Sequence, residues 1–334
     1  MIAFVTGATG FLGQHLVQQL LANGWKVTAL CRSPQKAANL GLEHVNWQTG
    51  SLTDIDSLRR AMPYKPDAVF HLAGDTSTWA LNNKRQYKTN VTGSANLAQV
   101  ALEKQTSRFI HTSSIAIYGF HDERIDENSE KRGADCPVPY CRTKYLGEEA
   151  VRERIKDGLD AVFLNPTAII GPYDEHNWVQ FFDLIQQQKL PGVPPGSVTC
   201  CFAPEVASAH LNAFVHGRTG ENYLLGGPDA RLIEIAHWIG QRLDKPVPER
   251  ALPGWLLKTL GHASSAFSYF TRKEPSVTIE KADLVCADVL GCSDKAVREL
   301  HYKADIPLAE MLEATYQWWA VQADNKQPVA PSAT

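Results

Sequence analysis

The sequence predicts an α/β fold: a doubly wound parallel sheet with helices on both faces, followed by a smaller, mostly helical C-terminal region. Three observations predict it. Through the first half of the 334 residues, short apolar runs alternate with stretches whose apolar residues recur at helical spacing. The first run leads straight into glycines at 7, 10 and 13 and then a helical pattern. Beyond residue 172 the alternation lapses, and Pro/Gly-rich loops and helical patterns take over. One domain is therefore expected over 1–172, with a segment returning to it near 197–226, and a second region over 173–325. The stretch 326–334 has too little apolar content to pack and is expected to be disordered.

The elements follow in order. "IAFVTG" reads as a buried strand, and Leu12, Leu16, Val17, Leu20 and Leu21 recur at helical spacing until Gly24 ends the helix. "KVTALC" is the second strand and "HVNWQ" a weaker third, followed by a helix capped at Thr53 or Asp54. "DAVFHLAG" is the fourth. A helix over 90–104, a strand over 108–113, a helix over 140–156 and the strand "DAVFLNPT" complete the alternation. Such βαβ units are right-handed and put ligands beyond the carboxyl ends of the strands. Later come a helix over 178–189, the loop "KLPGVPPGSV", the strand "ENYLLGG", and helices near 231–243, 276–290 and 306–322. "ALPGWLLKTLGHASSAFSYF" is apolar without the many cations of a membrane-surface helix, and reads as a buried helix or a lid over a pocket.

Composition excludes several classes. A net charge of −3 is a poor match to nucleic acid. No apolar run reaches the ~18 residues of a membrane span. Seven cysteines without C-x-x-C spacing point to a reducing cytoplasm, and the eleven histidines show no metal-binding arrangement, so no metal is expected.

The chemistry starts at the glycines. Gly7 permits a tight turn, Gly10 lets backbone approach a pyrophosphate, and Gly13 lets helix and strand pack closely, the requirements of a dinucleotide site. At the end of the second strand, where NAD-preferring proteins place a carboxylate, stand Arg32 and Ser33. A guanidinium there suits a 2′-phosphate, so NADP(H) is expected over NAD(H). "YCRTK" places Tyr140 and Lys144 one helical turn apart, and Ser114 stands just past the fifth strand. A carbonyl receiving a hydride needs a hydrogen bond and a proton at its oxygen. Ser114 can supply the first, Tyr140 the second, and the Lys144 ammonium lowers the phenol's pKa. A second pair of the same spacing, Tyr269 and Lys273, sits outside the alternating pattern and reads as packing or lid.

These motifs together resemble the extended short-chain dehydrogenase/reductases: "TGATGFLG", "HLAG", "TNVTGSAN", "HTSSIAIYG", "YCRTK" and "LNPTAIIGP" occur in that family's order. The resemblance implies a Rossmann-type fold. It implies cofactor contacts from Thr6, Gly7, Thr9, Gly10, Phe11, Leu12 and Gly13, from Arg32, Ser33, Ser51 and Leu52, and from Leu72, Ala73, Gly74 and Asn90. Thr112, Tyr140, Lys144, Pro166 and Thr167 complete that set. Ser114, Tyr140 and Lys144 would be catalytic, with Asn90 supporting a relay water beside the lysine. Ser51 stands where relatives carry an adenine-contacting Asp.

"LNPTAIIGP" and "GENYLLGG" are most similar to the dihydroflavonol-4-reductase-like branch, and sugar-nucleotide epimerases usually carry Arg in place of Asn165. The expected activity is NADPH-dependent reduction of a ketone or aldehyde on a fairly apolar small molecule, by a monomer or homodimer without nucleic-acid partner or membrane span. The substrate walls are expected from 76–79, Phe120, 176–182, 194–198 and 255–270. The alternatives are a nucleotide-sugar epimerase or dehydratase gripping a diphosphate with Arg218 or Arg231, and a non-catalytic NADP-binding protein.

Overall fold

The computed structural model describes residues 1–326. Seven parallel strands form the main sheet in the order β3-β2-β1-β4-β5-β6-β9. They are β1 (Ile2–Thr6), β2 (Lys26–Cys31), β3 (Val45–Thr49), β4 (Ala68–His71), β5 (Arg108–Thr112), β6 (Ala161–Pro166) and, after β7 (Ala168–Ile170) and β8 (Ser197–Phe202), β9 (Asn222–Leu225). The order reverses between β1 and β4, the kind of crevice where doubly wound sheets take ligands. Every residue of β4, β6 and β9 is buried, which explains why these strands read as unbroken apolar runs rather than alternating ones.

Helices cover both faces. On one, Leu16, Val17 and Leu20 of helix Phe11–Ala22 meet Val206 and Ala207 of helix Ala203–His216 over Val5, Phe70 and Ile110. On the other, Leu58, Leu97 and Val151 come from helices Ile55–Ala61, Gly93–Glu103 and Pro139–Ile155 and pack on Phe4, Val69 and Phe163. Each such side chain contributes roughly 1.5–3 kcal/mol when withdrawn from water. Asp54, not Thr53, caps its helix, accepting from the amides of Asp56 and Ser57 at 3.1 Å each, a cap worth about 1 kcal/mol.

The second half departs from expectation in three places. "SVTCCF", expected to begin as loop, is β8, which pairs parallel with β7 and antiparallel with β10 (Asp229–Arg231). The helix expected over 276–290 is confined to Ile279–Cys286. The segment expected as a buried helix or lid is the helix Gly254–Thr271, and only Leu257, Gly261 and Ser268 of it are buried. The third core, around Phe182, Ile185, Ile235, Ile239, Leu312 and Trp319, claims two of the expected pocket residues, Val179 and Phe182. The stretch 326–334 lies outside the described residues except for Lys326, which ends the last helix, Leu308–Lys326.

Candidate active site

The turn after β1 is built by contacts that only glycine tolerates. Gly7 has φ +77°, and a Cβ there would sit 2.6 Å from the Ala73 amide nitrogen. A Cβ on Gly13 would come within 2.1 Å of the Gly7 carbonyl, so helix and turn close on each other. Gly10 differs: its missing Cβ has only the Gly7 carbonyl, at 3.2 Å, as a close neighbour. Gly10 also caps the helix without a side-chain acceptor, leaving the first helical N–H groups for an anion. Thr9, Gly10 and Phe11 line this half-buried surface, while Leu12 and Gly13 lie beneath it.

Several expected contacts turn their side chains inward. Thr6 is fully buried, and its hydroxyl bonds His71 Nδ1 at 2.8 Å. Ser51 Oγ shares a hydrogen with Thr53 Oγ1 at 3.0 Å, and Leu52 is buried over Gly93. The Thr167 hydroxyl donates to the Leu225 carbonyl at 3.1 Å beside a buried Pro166. Of these residues Thr6 is enclosed completely, whereas Ser51 and Thr167 stay partly exposed. Leu72 and Ala73 are half-buried and Gly74 exposed along the carboxyl end of β4. Across the crevice, Ser33 Oγ caps the short helix Pro34–Ala38 by accepting from the Lys36 amide at 3.3 Å, and Arg32 is exposed.

Three functional groups meet beyond β5. Ser114 follows the strand and caps a short 3-10 turn, its Oγ accepting from the Ala116 amide at 3.2 Å. Tyr140 enters at the second position of helix Pro139–Ile155, behind a proline preset for a helix start. The Ser114 hydroxyl lies beside the Tyr140 phenol. One turn on, Lys144 Nζ donates to the Thr112 carbonyl at 2.8 Å, while the Thr112 hydroxyl bonds His210 Nε2 at 2.7 Å. Burial raises the Tyr140 pKa, and the neighbouring Ser114 hydroxyl works against the rise. Burial pushes Lys144 down to about 8, opposed by the Glu148 carboxylate. The phenol thus keeps its proton, and the Lys144 ammonium one helical turn on loses its own only in mild alkali.

Asn90 sits in a single π turn, Lys88–Thr92, that opens its helix, a distortion frequent at functional sites. Its amide oxygen accepts from the Asp75 amide at 2.7 Å, and its Nδ2 donates to the Asp75 carbonyl at 2.9 Å and to Thr143 Oγ1 at 3.1 Å. Its carbonyl accepts from Ser94 Oγ at 2.7 Å. The side chain therefore pins the loop after β4 to the tyrosine helix.

Glu148, one turn beyond Lys144, carries no motif in the sequence, yet it organises the floor of the site. It is 1% exposed and meets Lys131 Nζ at 2.8 Å, Arg152 Nη2 at 2.9 Å and Asn222 Nδ2 at 3.0 Å. Burial alone would raise its pKa, but the two cations outweigh burial and hold it at about 2. Asn165 joins by donating to the Ser114 carbonyl at 3.1 Å. The only sequence signal was the helical register, Tyr140, Lys144 and Glu148 at i, i+4 and i+8.

Beside Tyr140, Ala116, Phe120 and Leu284 pack with it on Cys136, Val138 and Cys141. Trp79 Nε1 donates to Ser268 at 3.0 Å and ties the loop after β4 to helix Gly254–Thr271. Tyr269 is 52% exposed and Lys273 is exposed, so neither packs against the site. Arg218 is paired with Glu299 at 2.9 Å just ahead of β9, at the amino-terminal edge of the sheet and opposite the site.

The family described as NAD dependent epimerase/dehydratase matches residues 3–226. A protein of Synechocystis sp. provisionally named a dihydroflavonol 4-reductase is 28% identical, over 89% of this chain and 88% of its own. A 2-alkyl-3-oxoalkanoate reductase of Stenotrophomonas maltophilia is 27% identical, over 93% and 97%. The crystal structure of gox2253 is similar with a TM-score of 0.83 and 26% identity, over 96% of this chain and 98% of that one.

Proposed function

The chain belongs to the NAD dependent epimerase/dehydratase family and is an NAD(P)-dependent enzyme of the oxidoreductase type, and from that premise we propose that it reduces a ketone or aldehyde on a fairly apolar small molecule with NADPH. The observation that carries this reading is the Ser114 hydroxyl beside the Tyr140 phenol beyond β5, with Lys144 one helical turn on and held by the Thr112 carbonyl.

The residues present fit a dinucleotide. The space a Cβ of Gly10 would enter is bounded by a single close backbone atom, above helix N–H groups that no side chain caps. Gly7, Thr9, Gly10 and Phe11 would hold the pyrophosphate, Leu72 to Gly74 the adenosine side, and Pro166 and Thr167 the nicotinamide side. Arg32 and Ser33 would take the 2′-phosphate, which is the ground for preferring NADP(H) to NAD(H). When bound, the reduced nicotinamide supplies the hydride.

Everything else falls to the protein. Ser114 hydrogen-bonds the substrate oxygen and fixes the carbonyl. Tyr140 donates its proton to that oxygen as negative charge develops. Lys144, held by the Thr112 carbonyl, stabilises the phenolate left behind and so lowers the cost of the transfer. Ala116, Phe120 and Leu284 present an apolar wall, which favours an aliphatic or aromatic substituent over a sugar diphosphate. The commitment of Arg218 to Glu299 at the far edge supports the same choice.

The test is a panel of ketones, aldehydes and nucleotide sugars, followed by NADPH and NADH absorbance. The expected result is turnover of apolar carbonyl compounds, with the KM for NADPH about ten- to a hundredfold lower than for NADH and the difference erased in Arg32→Ala. Turnover of nucleotide sugars alone, without net cofactor oxidation, would overturn the reductase reading.

A further inference from the structure

His210 is a buried histidine with no part in the hydride and proton transfers. It lies in helix Ala203–His216, which packs on the face of the sheet opposite the tyrosine helix, and none of it is exposed. Both ring nitrogens are committed. Nδ1 stands 2.7 Å from the Val206 carbonyl one turn earlier, and Nε2 stands 2.7 Å from the Thr112 hydroxyl. A carbonyl can only accept, so Nδ1 carries the hydrogen. Nε2 is then the acceptor, and Thr112 Oγ1 donates to it. Burial pushes His210 down to about 4, so the ring is neutral and keeps that lone pair near pH 7.

Thr112 stands where the sheet gives up one of its two restraints. β4 pairs with β5 from Ala68–Arg108 to His71–His111 and stops one residue short of Thr112. β6 still pairs there, Thr112 with Leu164, and the Ser113 amide donates to the Leu164 carbonyl at 2.7 Å. The Thr112 carbonyl and the Ser113 amide belong to one trans peptide and point opposite ways. With the amide turned to β6, the carbonyl faces the side that β4 has left, and Lys144 Nζ donates to it at 2.8 Å. The bond from the Thr112 hydroxyl to His210 is therefore a second tether on this strand end, at the residue that holds the lysine.

We propose that His210 is a positioning residue: acting from the far face of the sheet through the Thr112 hydroxyl, it fixes the strand end whose carbonyl holds the Lys144 ammonium. A hydrogen bond to the charged form of a group favours that form. A strand end set loose weakens the bond and lowers the pH at which the ammonium is lost. The other groups that act on Lys144 are Glu148 on its own helix and the buried imidazoles of His71 and His111 on β4 and β5. The effect on turnover rests on the reductase reading; the hold on the lysine does not.

NMR of the full chain, isotope-labelled at lysine Cε, reads the Lys144 titration without any substrate, its signal being the one missing from Lys144→Met. Thr112→Val removes the hydroxyl at nearly constant shape, and His210→Phe removes the acceptor. Each should move the titration, and the alkaline limb of kcat/KM with it, down by about one pH unit. Thr112→Ser and His210→Gln keep a donor and an acceptor and should titrate as the wild type does. Thr112→Val decides if His210→Phe fails to fold. A Lys144 titration that stays in place or moves upward, even where the melting temperature drops, would overturn the proposal and leave His210 a packing residue. A shift of equal size in the two conservative variants would do the same. A downward shift in a chain that turns over no carbonyl compound leaves the hold standing, and only the reductase reading falls.

Discussion

Two tyrosine–lysine pairs with identical spacing divide this molecule. Tyr140 and Lys144 begin a helix packed under the carboxyl edge of the sheet; Tyr269 and Lys273 straddle the end of a helix whose outer face meets solvent. In the first pair, burial depresses the lysine and raises the phenol, a serine hydroxyl lies beside the phenol, and a backbone carbonyl fixes the lysine head. The second pair has no such surroundings. A shared helical turn brings two side chains together in either place; what suits one of them to the proposed proton transfer is withdrawal from water beside a strand end.

That contrast can be broken by exchange of treatment. Tyr140→Phe should lower kcat/KM for carbonyl reduction by about 10²–10⁴ with the thermal transition unchanged, as read by NADPH oxidation and calorimetry. Comparable activity in that variant would erase the distinction between the pairs.

Next in size is the support beneath the first pair. Glu148→Gln leaves Lys131 and Arg152 without their shared carboxylate and should cost about 3–5 kcal/mol in denaturant unfolding. The wild-type carboxyl is held at about 2, below the ordinary range. Its stabilisation is therefore full above that range and is lost as pH falls toward about 2. In acid titrations followed by circular dichroism, the stability gap between wild type and variant should narrow over that window. A gap that stays constant would mean that Glu148 is not ionised in the folded protein.

The lysine gives a smaller, sharper signature. Its ammonium is present below about 8 and is lost as pH rises through that value. The kcat/KM for reduction should therefore fall about tenfold per pH unit once the pH is well above 8. A profile flat to pH 10 would remove Lys144 from the proton transfer. The smallest effect belongs to the second pair: Tyr269→Phe and Lys273→Met should each leave kcat/KM within about twofold and stability within about 0.5 kcal/mol.

Much of the fold was legible because alternation between apolar runs and helical patterns is a local property. β1, β2, β4, β5 and β6 and the helices between them lie where the residues put them. β8 was obscured by the prolines and glycine ahead of it, and its partners β7 and β10 are too short to carry a pattern. In the site, Ser114, Tyr140 and Lys144 were legible because each stands at the end of a strand or the start of a helix. Glu148 was not, because only its partner Arg152 lies on its own helix, while Lys131 and Asn222 come from separate segments that packing alone brings to it. Thr6 illustrates the reverse error: its place in the glycine motif suggests a ligand contact, but the pleat of β1 turns its hydroxyl to His71.

By itself the sequence determined the parallel sheet, the glycine turn and the tyrosine helix, since each depends on spacing and composition over a few residues. Tertiary structure alone decided which of two equal tyrosine–lysine pairs is shielded from water, that Asn90 clamps a loop, and that helix Gly254–Thr271 shows its apolar side to solvent. Those outcomes depend on which surfaces cover which, and hydrophobic periodicity identifies the apolar face of a helix without saying what will lie against it.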